Sequence, residues 1–221
     1  KPFESAAALE QWLDQNAVQG EVRNLIVSRF PTIRQLGDDV VHCLDAATGR
    51  TLWKQTWPSQ AAENGASCTP CVVDGRCYVI GADSDVHCLD ARTGRQIWNG
   101  KAGAGAKHCS FIVVDGLAII PAGPLTAFDA ATGQVRWSND KVKATVSSPA
   151  CWTSDGKSYV IVRDTAMVSC VNAATGEIVW QEKDNVNGAS PVVAGDYLVG
   201  EGRLDVLSRG QLHHPAQLRR H

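Results

Sequence analysis

Three cysteines near the middle of the chain have residue types and a spacing that could bind zinc or carry out redox chemistry. Cys68 and Cys71 stand at the ends of a Cys-Thr-Pro-Cys run, and Cys77 follows. In an extended strand, residues three apart point to opposite faces, so Cys68 and Cys71 would not converge. An Asp-Gly turn between Cys71 and Cys77 pairs Cys77 with Val72, which puts Cys71 and Cys77 on opposite faces as well. We therefore expect no metal site, and interpret the cysteines as small buried hydrophobic residues.

The histidines are the other candidate ligands. His42 and His87 occupy equivalent positions of a repeat in which Thr126 and Ser169 stand in the other copies. A metal site at that position would need more than two histidines. His108 is expected to start an inner strand, where it could contact a ligand. Three more histidines lie beside two arginines in a tail that we expect to be a solvated terminus: His213, His214 and His221.

A carboxylate, a hydroxyl and an indole also occur together, in the phrase CLDAATGRTLW at residues 43–53. The phrase occurs four times in all, with spacings of about forty residues between its glycines. A period near forty with four short strands in each unit is typical of β-propeller blades. The repeated positions are Asp45, Thr48, Gly49 and Trp53; Asp90, Thr93, Gly94 and Trp98; Asp129, Thr132, Gly133 and Trp137; and Asn172, Thr175, Gly176 and Trp180.

The physical chemistry of the phrase favours a structural role. An aspartate at the first position of a turn accepts hydrogen bonds from the turn amides, and glycine supplies the left-handed conformation that closes the hairpin. The tryptophan is expected to lie flat against a neighbouring blade, with its N–H bonded to a carbonyl. The fourth copy replaces the aspartate with Asn172. A general acid or base would not survive that replacement, whereas a turn-capping residue does.

Asp-Gly pairs mark a second turn in each unit. Asp74-Gly75, Asp115-Gly116 and Asp155-Gly156 each separate two β-rich runs, which predicts type I′ hairpins, and Gly195-Asp196 has the order reversed. The predicted fold class is all-β, a propeller of four-stranded antiparallel blades in a partial ring. We place whole blades at about 64–101, 104–141 and 143–184, and half blades at 38–60 and 186–200. Residues 1–37 form an N-terminal segment outside the repeat, with a helix in the first sixteen residues, and residues 201–221 form an irregular tail.

The composition of the chain argues against some classes of function. The 221 residues include 21 basic and 23 acidic side chains, for a formal charge of −2, which argues against a nucleic-acid-binding surface built on overall charge. No apolar run approaches the length of a membrane span. The chain begins at Lys1 and its one methionine is Met167, so we expect a processed product or an excerpt. The glycine-rich stretch 103–107 joins two blades without leading into a helix, so it is not expected to bind phosphate.

The motif A-x-D-x-x-T-G-x-x-x-W resembles the tryptophan-docking motif of the PQQ-type β-propellers, over about residues 38–200. That family includes quinone-dependent alcohol and sugar dehydrogenases, and non-catalytic members such as the outer-membrane assembly lipoprotein BamB. The resemblance implies a ring of seven or eight blades and an extracytoplasmic location. Its enzymes commonly stack a disulfide of adjacent cysteines on the quinone, which is bound with calcium. This chain has eight cysteines and no adjacent pair.

The leading hypothesis is a non-catalytic scaffold that binds another protein or a polymer through its loops, without a cofactor. The alternative is a fragment of a PQQ-dependent alcohol or sugar dehydrogenase, which would need PQQ and calcium. A third possibility is a sensor domain of a longer signalling protein. An open arc of blades would expose strand edges and an apolar blade face, so we expect that further chain completes the ring.

Overall fold

The computed structural model describes eight stretches of the chain, and the fold is given for these residues: 6–29, 37–59, 67–103, 108–144, 147–164, 166–183, 190–194 and 197–199. Three predicted features lie outside them. These are the loop at 104–107, the reversed turn at Gly195-Asp196, and the tail 201–221 with its histidines.

Two helices come before the sheets. α1 spans Ala6–Gln15 and α2 spans Gly20–Arg29. Leu9 and Leu13 of α1 are buried, whereas Trp12 at the edge of the same face is 42% exposed. α2 was not predicted, because its sequence has no apolar stripe of helical period. Within the described residues, neither helix has the length and apolarity needed to cross a bilayer.

Three four-stranded antiparallel sheets form the body of the fold, with each strand beside its neighbours in sequence. Blade 1 contains β3 (Cys71–Val73), β4 (Arg76–Ile80), β5 (Asp85–Asp90) and β6 (Gln96–Lys101). Blade 2 contains β7 (Ile112–Val114), β8 (Leu117–Pro121), β9 (Gly123–Asp129) and β10 (Val135–Ala144). Blade 3 contains β11 (Ala150–Ser154), β12 (Lys157–Arg163), β13 (Met167–Asn172) and β14 (Ile178–Lys183).

A two-stranded sheet stands at each end of this series. The N half-blade consists of β1 (Gly37–Leu44) and β2 (Thr51–Ser59), and the C half-blade consists of β15 (Val192–Ala194) and β16 (Tyr197–Val199). The two half-blades do not pair with each other in the described residues. The predicted fold class is therefore confirmed: an all-β propeller with three whole blades and two half blades in a partial ring.

The Asp-Gly turns adopt the conformation that their sequence predicts. Asp74 and Gly75 have φ angles of 48° and 72°, and the other two pairs are nearly identical. Positive φ at both central residues defines the type I′ turn, whose twist matches that of the strands it joins. Each pair thus connects the first two strands of a blade, and places its aspartate at the same end of the blade as the repeated phrase.

The register explains why a small residue stands two positions before each turn-capping Asp or Asn. This residue pairs directly across the ladder with the docking tryptophan: Cys43 with Trp53, Cys88 with Trp98, Ala127 with Trp137 and Cys170 with Trp180. A bulky side chain there would collide with the indole, because directly opposite Cβ atoms lie about 5 Å apart. The register shifts immediately after this pair, at the bulge where the phrase turns back.

The core lies between blades. Tyr78 and Trp98 of blade 1 pack with Phe111 and Phe128 of blade 2, with ring centroids 6.0 Å apart in each contacting pair. A second cluster joins blades 2 and 3, and smaller clusters join the half-blades to blades 1 and 3. Each blade thus buries its apolar faces against its neighbours, as a repeat architecture requires.

Candidate interaction surface

The carboxylate of the repeated phrase holds the turn that follows it. Oδ1 of Asp45 accepts hydrogen bonds from the amides of Ala47 and Thr48 and from the Thr48 hydroxyl, at 3.1, 2.8 and 2.7 Å. The same three bonds recur around Asp90 and Asp129. The threonine hydroxyl, followed by the turn amides, lowers the pKa of each carboxyl group: Asp45, Asp90 and Asp129.

The fourth copy shows which property of this side chain the turn uses. Oδ1 of Asn172 accepts from the amides of Ala174 and Thr175, at 2.9 and 3.3 Å. The Thr175 hydroxyl bonds instead to Glu177. An uncharged amide oxygen therefore holds the same turn, and the turn depends on an acceptor rather than on a proton-exchanging group.

Each docking tryptophan of the first three copies donates its indole N–H to the next blade. The donor and acceptor pairs are Trp53 with the carbonyl of Ala91 at 3.0 Å, Trp98 with Ala130 at 3.0 Å, and Trp137 with Ala173 at 2.9 Å. The accepting carbonyl always belongs to the residue after the turn-capping Asp or Asn. The phrase of one blade thus supplies the acceptor for the tryptophan of the blade before it.

The glycine of the phrase lies against the indole ring of the preceding blade's tryptophan. A Cβ built on Gly94, Gly133 or Gly176 would lie 2.7, 2.7 or 2.6 Å from the ring of the preceding blade's tryptophan. These glycines also have φ near +75°, a conformation that L side chains rarely adopt. Glycine is required there both by the backbone and by the closeness of the ring.

A second set of contacts joins the blades near the inner strands, and sequence reasoning missed it. The amides of Thr69, Ser110 and Ser148 donate to the hydroxyls of Ser110, Ser148 and Ser190, at 3.0, 3.0 and 2.9 Å. Each hydroxyl belongs to the blade after the donor. The signal was a serine or threonine two positions before each inner strand, followed by proline in three of four copies: Thr69-Pro70, Ser148-Pro149 and Ser190-Pro191.

The cysteines lie in packing positions. Val72 pairs with Cys77 across the Asp74-Gly75 turn, as predicted. Cys68 precedes β3 rather than lying within it, and its thiol donates to the Ile80 carbonyl at 3.1 Å. Burial raises the pKa of Cys109 and Cys170 to about 12 and that of Cys77 and Cys88 to about 11. Such thiols stay neutral near pH 7 and are poor nucleophiles and ligands.

The histidines differ from one another in their surroundings. His87 is buried, stacks on Trp57 with centroids 4.1 Å apart, and lies 3.0 Å from Oε1 of Gln96. Burial lowers its pKa, so the ring is neutral near pH 7. His42 at the equivalent position is exposed. His108 lies before β7 rather than in a strand, and hydrogen bonds to Ser67.

A groove of about 350 Å³ lies between blades 1 and 2, at the end where the turns gather. Its apolar lining includes Val73, Val113 and Tyr78. Its rim carries the exposed turn carboxylates Asp74 and Asp115, together with Asp129, Arg76 and the backbone of 130–131. Burial raises the pKa of Tyr78 to about 12, and its hydroxyl donates to the Ala130 carbonyl. The groove thus combines an apolar floor with a mainly acidic rim.

The chain resembles known proteins in part of its sequence and in its fold. Residues 121–210 match the family model described as "Outer membrane protein assembly factor BamB". BamB from Moraxella catarrhalis superposes with a TM-score of 0.60 at 23% identity, over 77% of this chain and 55% of that chain. The computationally designed Ika8 protein superposes with a TM-score of 0.55 at 15% identity, over 72% of this chain and 48% of that chain. No curated protein sequence matches the chain.

The resemblance to PQQ-like β-propeller repeats of the BamB kind is confirmed by these matches. The chain spans about half the length of these two solved structures. A quinohemoprotein alcohol dehydrogenase from Comamonas testosteroni is also similar, with a TM-score of 0.44 and 27% identity, over 54% of this chain and 21% of that chain.

The dehydrogenase alternative would require a place for the quinone and a calcium site. The sequence has no adjacent cysteine pair, and the described cysteines are all free thiols. Calcium needs several oxygen ligands converging on one point. In the part of the chain that the structure describes, no group of three or more His, Cys, Asp or Glu side chains is placed to bind a metal ion.

Proposed function

We propose that this chain, a set of PQQ-like β-propeller repeats resembling those of BamB, is a non-catalytic scaffold that binds another protein. One observation carries the proposal: the polar groups of the repeated phrase are committed to the fold itself. In the first three copies the carboxylate, the hydroxyl and the indole N–H all form hydrogen bonds within the chain. They hold turns and join blades, which leaves binding to the surfaces between them.

The groove between blades 1 and 2 is the surface that we propose for the partner. The Asp74 and Asp115 carboxylates are exposed on its rim, and Val73 and Val113 line its floor. A protein segment that alternates basic and apolar side chains would match both features, with the charges setting orientation and the apolar contacts supplying affinity. Blade 1 and blade 2 are fixed by their docked tryptophan, so this groove needs little ordering on binding.

The proposal is tested by comparing affinity capture with the intact chain and with matched turn variants. The double variant Asp74→Asn, Asp115→Asn removes both rim charges, and asparagine tolerates the positive φ of these positions. The control Asp155→Asn makes the same change in the same turn of blade 3, outside the groove. A specific partner should be retained by the control and reduced severalfold by the double variant. Equal capture by all three proteins would rule out this groove.

The dehydrogenase alternative makes a distinct prediction. It expects binding of PQQ in the presence of calcium, and reduction of an artificial dye when an alcohol or a sugar is added. The scaffold proposal expects neither. Dye reduction that depends on added PQQ would overturn the non-catalytic proposal whatever the capture experiment shows.

We also propose an extracytoplasmic location, supported by the outer-membrane role named in the description of the matching family. Fractionation of cells that express the full-length gene tests this directly. Recovery with the cytoplasmic fraction alone would contradict it.

A further inference from the structure

Arg76 lines the groove between blades 1 and 2 without a partner for its charge among the described residues. It begins β4 and shares a face with Tyr78, whose hydroxyl reaches the Ala130 carbonyl of blade 2. Its Nε is buried and forms no hydrogen bond within the described part of the chain. None of the ion pairs found there includes Arg76. The groove therefore contains a cation for which the described residues supply no acceptor.

The carboxylates beside Arg76 are engaged elsewhere. Asp90 stands directly across the ladder from Arg76, but its Oδ1 accepts three hydrogen bonds from its own turn. Asp129, on the rim of the groove, holds its own turn with Oδ1 in the same way. Its Oδ2 lies 3.8 Å from Nη1 of Arg136. Neither carboxylate forms an ion pair with Arg76.

The fold itself does not require an arginine at this position. Leu117 of blade 2 and Tyr159 of blade 3 occupy the same repeat position, since each pairs with the turn-capping Asp or Asn of its blade. Both are half-buried, as Arg76 is, and both pack against an apolar cluster. A large, partly apolar side chain therefore satisfies the blade. A half-buried guanidinium without an acceptor costs free energy by comparison, which favours a role in binding over a role in folding.

Arg76 constrains what can cover the groove. A partner that covers it removes the rest of the guanidinium from water, and a desolvated cation without an acceptor weakens binding strongly. A segment that is basic throughout would also place like charges against Arg76. A carboxylate removes both penalties, because it can accept two guanidinium N–H groups at once.

We propose that the partner segment in this groove carries one Asp or Glu side chain that pairs with Arg76, together with basic side chains that meet Asp74 and Asp115. The inference rests on the proposed function and adds the acidic residue to the segment described there. Charges of both signs fix the register of the segment in the groove. They also exclude uniformly basic segments, which the acidic rim alone would admit.

The test selects random peptides, displayed on yeast, for binding to the intact chain and to two variants. Arg76→Leu introduces the residue that blade 2 has at this position. Arg92→Ala is the matched control: it removes the same charge from blade 1, outside the groove, and alanine stands there in the other three copies. Peptides selected by the wild-type chain and by the control should be enriched in both basic and acidic residues. Those selected by Arg76→Leu should keep the basic enrichment and lose the acidic one.

The pairing itself is measured with one peptide that the wild-type chain selects. Changing its acidic residue to the matching amide should weaken binding to the wild-type chain about tenfold. The same change should have little effect on binding to Arg76→Leu, because the cation is already absent. Calorimetric titration gives all four affinities. Equal losses on the two proteins would contradict a contact between the carboxylate and Arg76.

A stability measurement separates binding from a structural role. Arg76→Leu should unfold at the same denaturant concentration as the wild-type chain or at a higher one, since leucine is accepted at this position in blade 2. A clear fall in the denaturation midpoint would mean that Arg76 serves the fold, and would overturn the inference.

Failure of the inference and failure of the proposed function give different results. Peptides that require Asp74 and Asp115 but contain no enriched acidic residue would overturn the role of Arg76 and leave the groove as the binding surface. If no selected peptide is sensitive to Arg76→Leu or to Asp74→Asn, Asp115→Asn, the groove itself is excluded as that surface.

Discussion

The indole of Trp98 lies over Gly133 of the next blade, so close that a Cβ on that glycine would stand 2.7 Å from the ring. The same indole donates to the Ala130 carbonyl, three residues before the glycine. One side chain thus contacts both the backbone and the empty side-chain position of a turn in the neighbouring sheet. This arrangement explains why the glycine and the tryptophan recur together in the phrase, although each glycine contacts the tryptophan of the preceding blade and not that of its own blade.

We predict that Gly133→Ala destabilises the chain strongly. The added methyl displaces Trp98, at a cost of about 1–3 kcal/mol for overpacking, and the left-handed backbone adds about 1 kcal/mol. Gly116→Ala is the control. Gly116 has a φ of +73°, close to the +76° of Gly133, and nothing lies within 4 Å of a Cβ built on it. It should lose only about 1 kcal/mol. Denaturant unfolding measures both, and equal losses would show that the indole does not need the glycine.

We predict that Ser148→Ala weakens the inner contact between blades 2 and 3. The Ser110 amide loses its acceptor, which should cost about 1 kcal/mol in the free energy of unfolding and speed hydrogen exchange at that amide. Ser148→Thr keeps an oxygen at the same place and should preserve both quantities. Unchanged exchange at Ser110 in the alanine variant would contradict the assignment.

We predict an acid-induced loss of stability that depends on the turn aspartates. Their folded-state pKa values lie below the ordinary 3.8, so folding favours the ionised form. This contribution is fully present above about pH 4 and is lost as the pH falls through the folded-state values. A variant with asparagine at all three positions, Asp45, Asp90 and Asp129, should show a flatter profile. The same acid midpoint in both proteins would exclude these groups as the cause.

We predict that four thiols resist modification in the folded chain. Cys77, Cys88, Cys109 and Cys170 are buried and have a raised pKa, so a thiol reagent should reach them only after unfolding. Cys43 is half-buried and should be modified earlier. Time-resolved labelling with mass spectrometry gives the order. Rapid modification of Cys109 or Cys170 in the folded state would contradict the packing described above.

Much of the fold could be predicted from local sequence. The Asp-Gly turns need positive φ at two successive residues, so their conformation follows from residue type alone. The replacement of aspartate by Asn172 indicated a turn-capping role before any geometry was known, and its Oδ1 accepts the same two amide bonds. The recurrence of the phrase near forty residues predicted the blades themselves.

The contacts between blades could not be predicted in the same way. Trp98 and Ala130, or Ser110 and Ser148, are 32 and 38 residues apart, and no local pattern states which carbonyl or hydroxyl a donor will reach. The exposure of Trp12 beside the buried Leu9 and Leu13 likewise depends on what packs against α1. The sequence by itself determined the turns, the strands and their order, because those follow from backbone preferences within a few residues. Only the tertiary structure decided which face each blade presents to the next, because the donor and the acceptor of each such contact come from different blades.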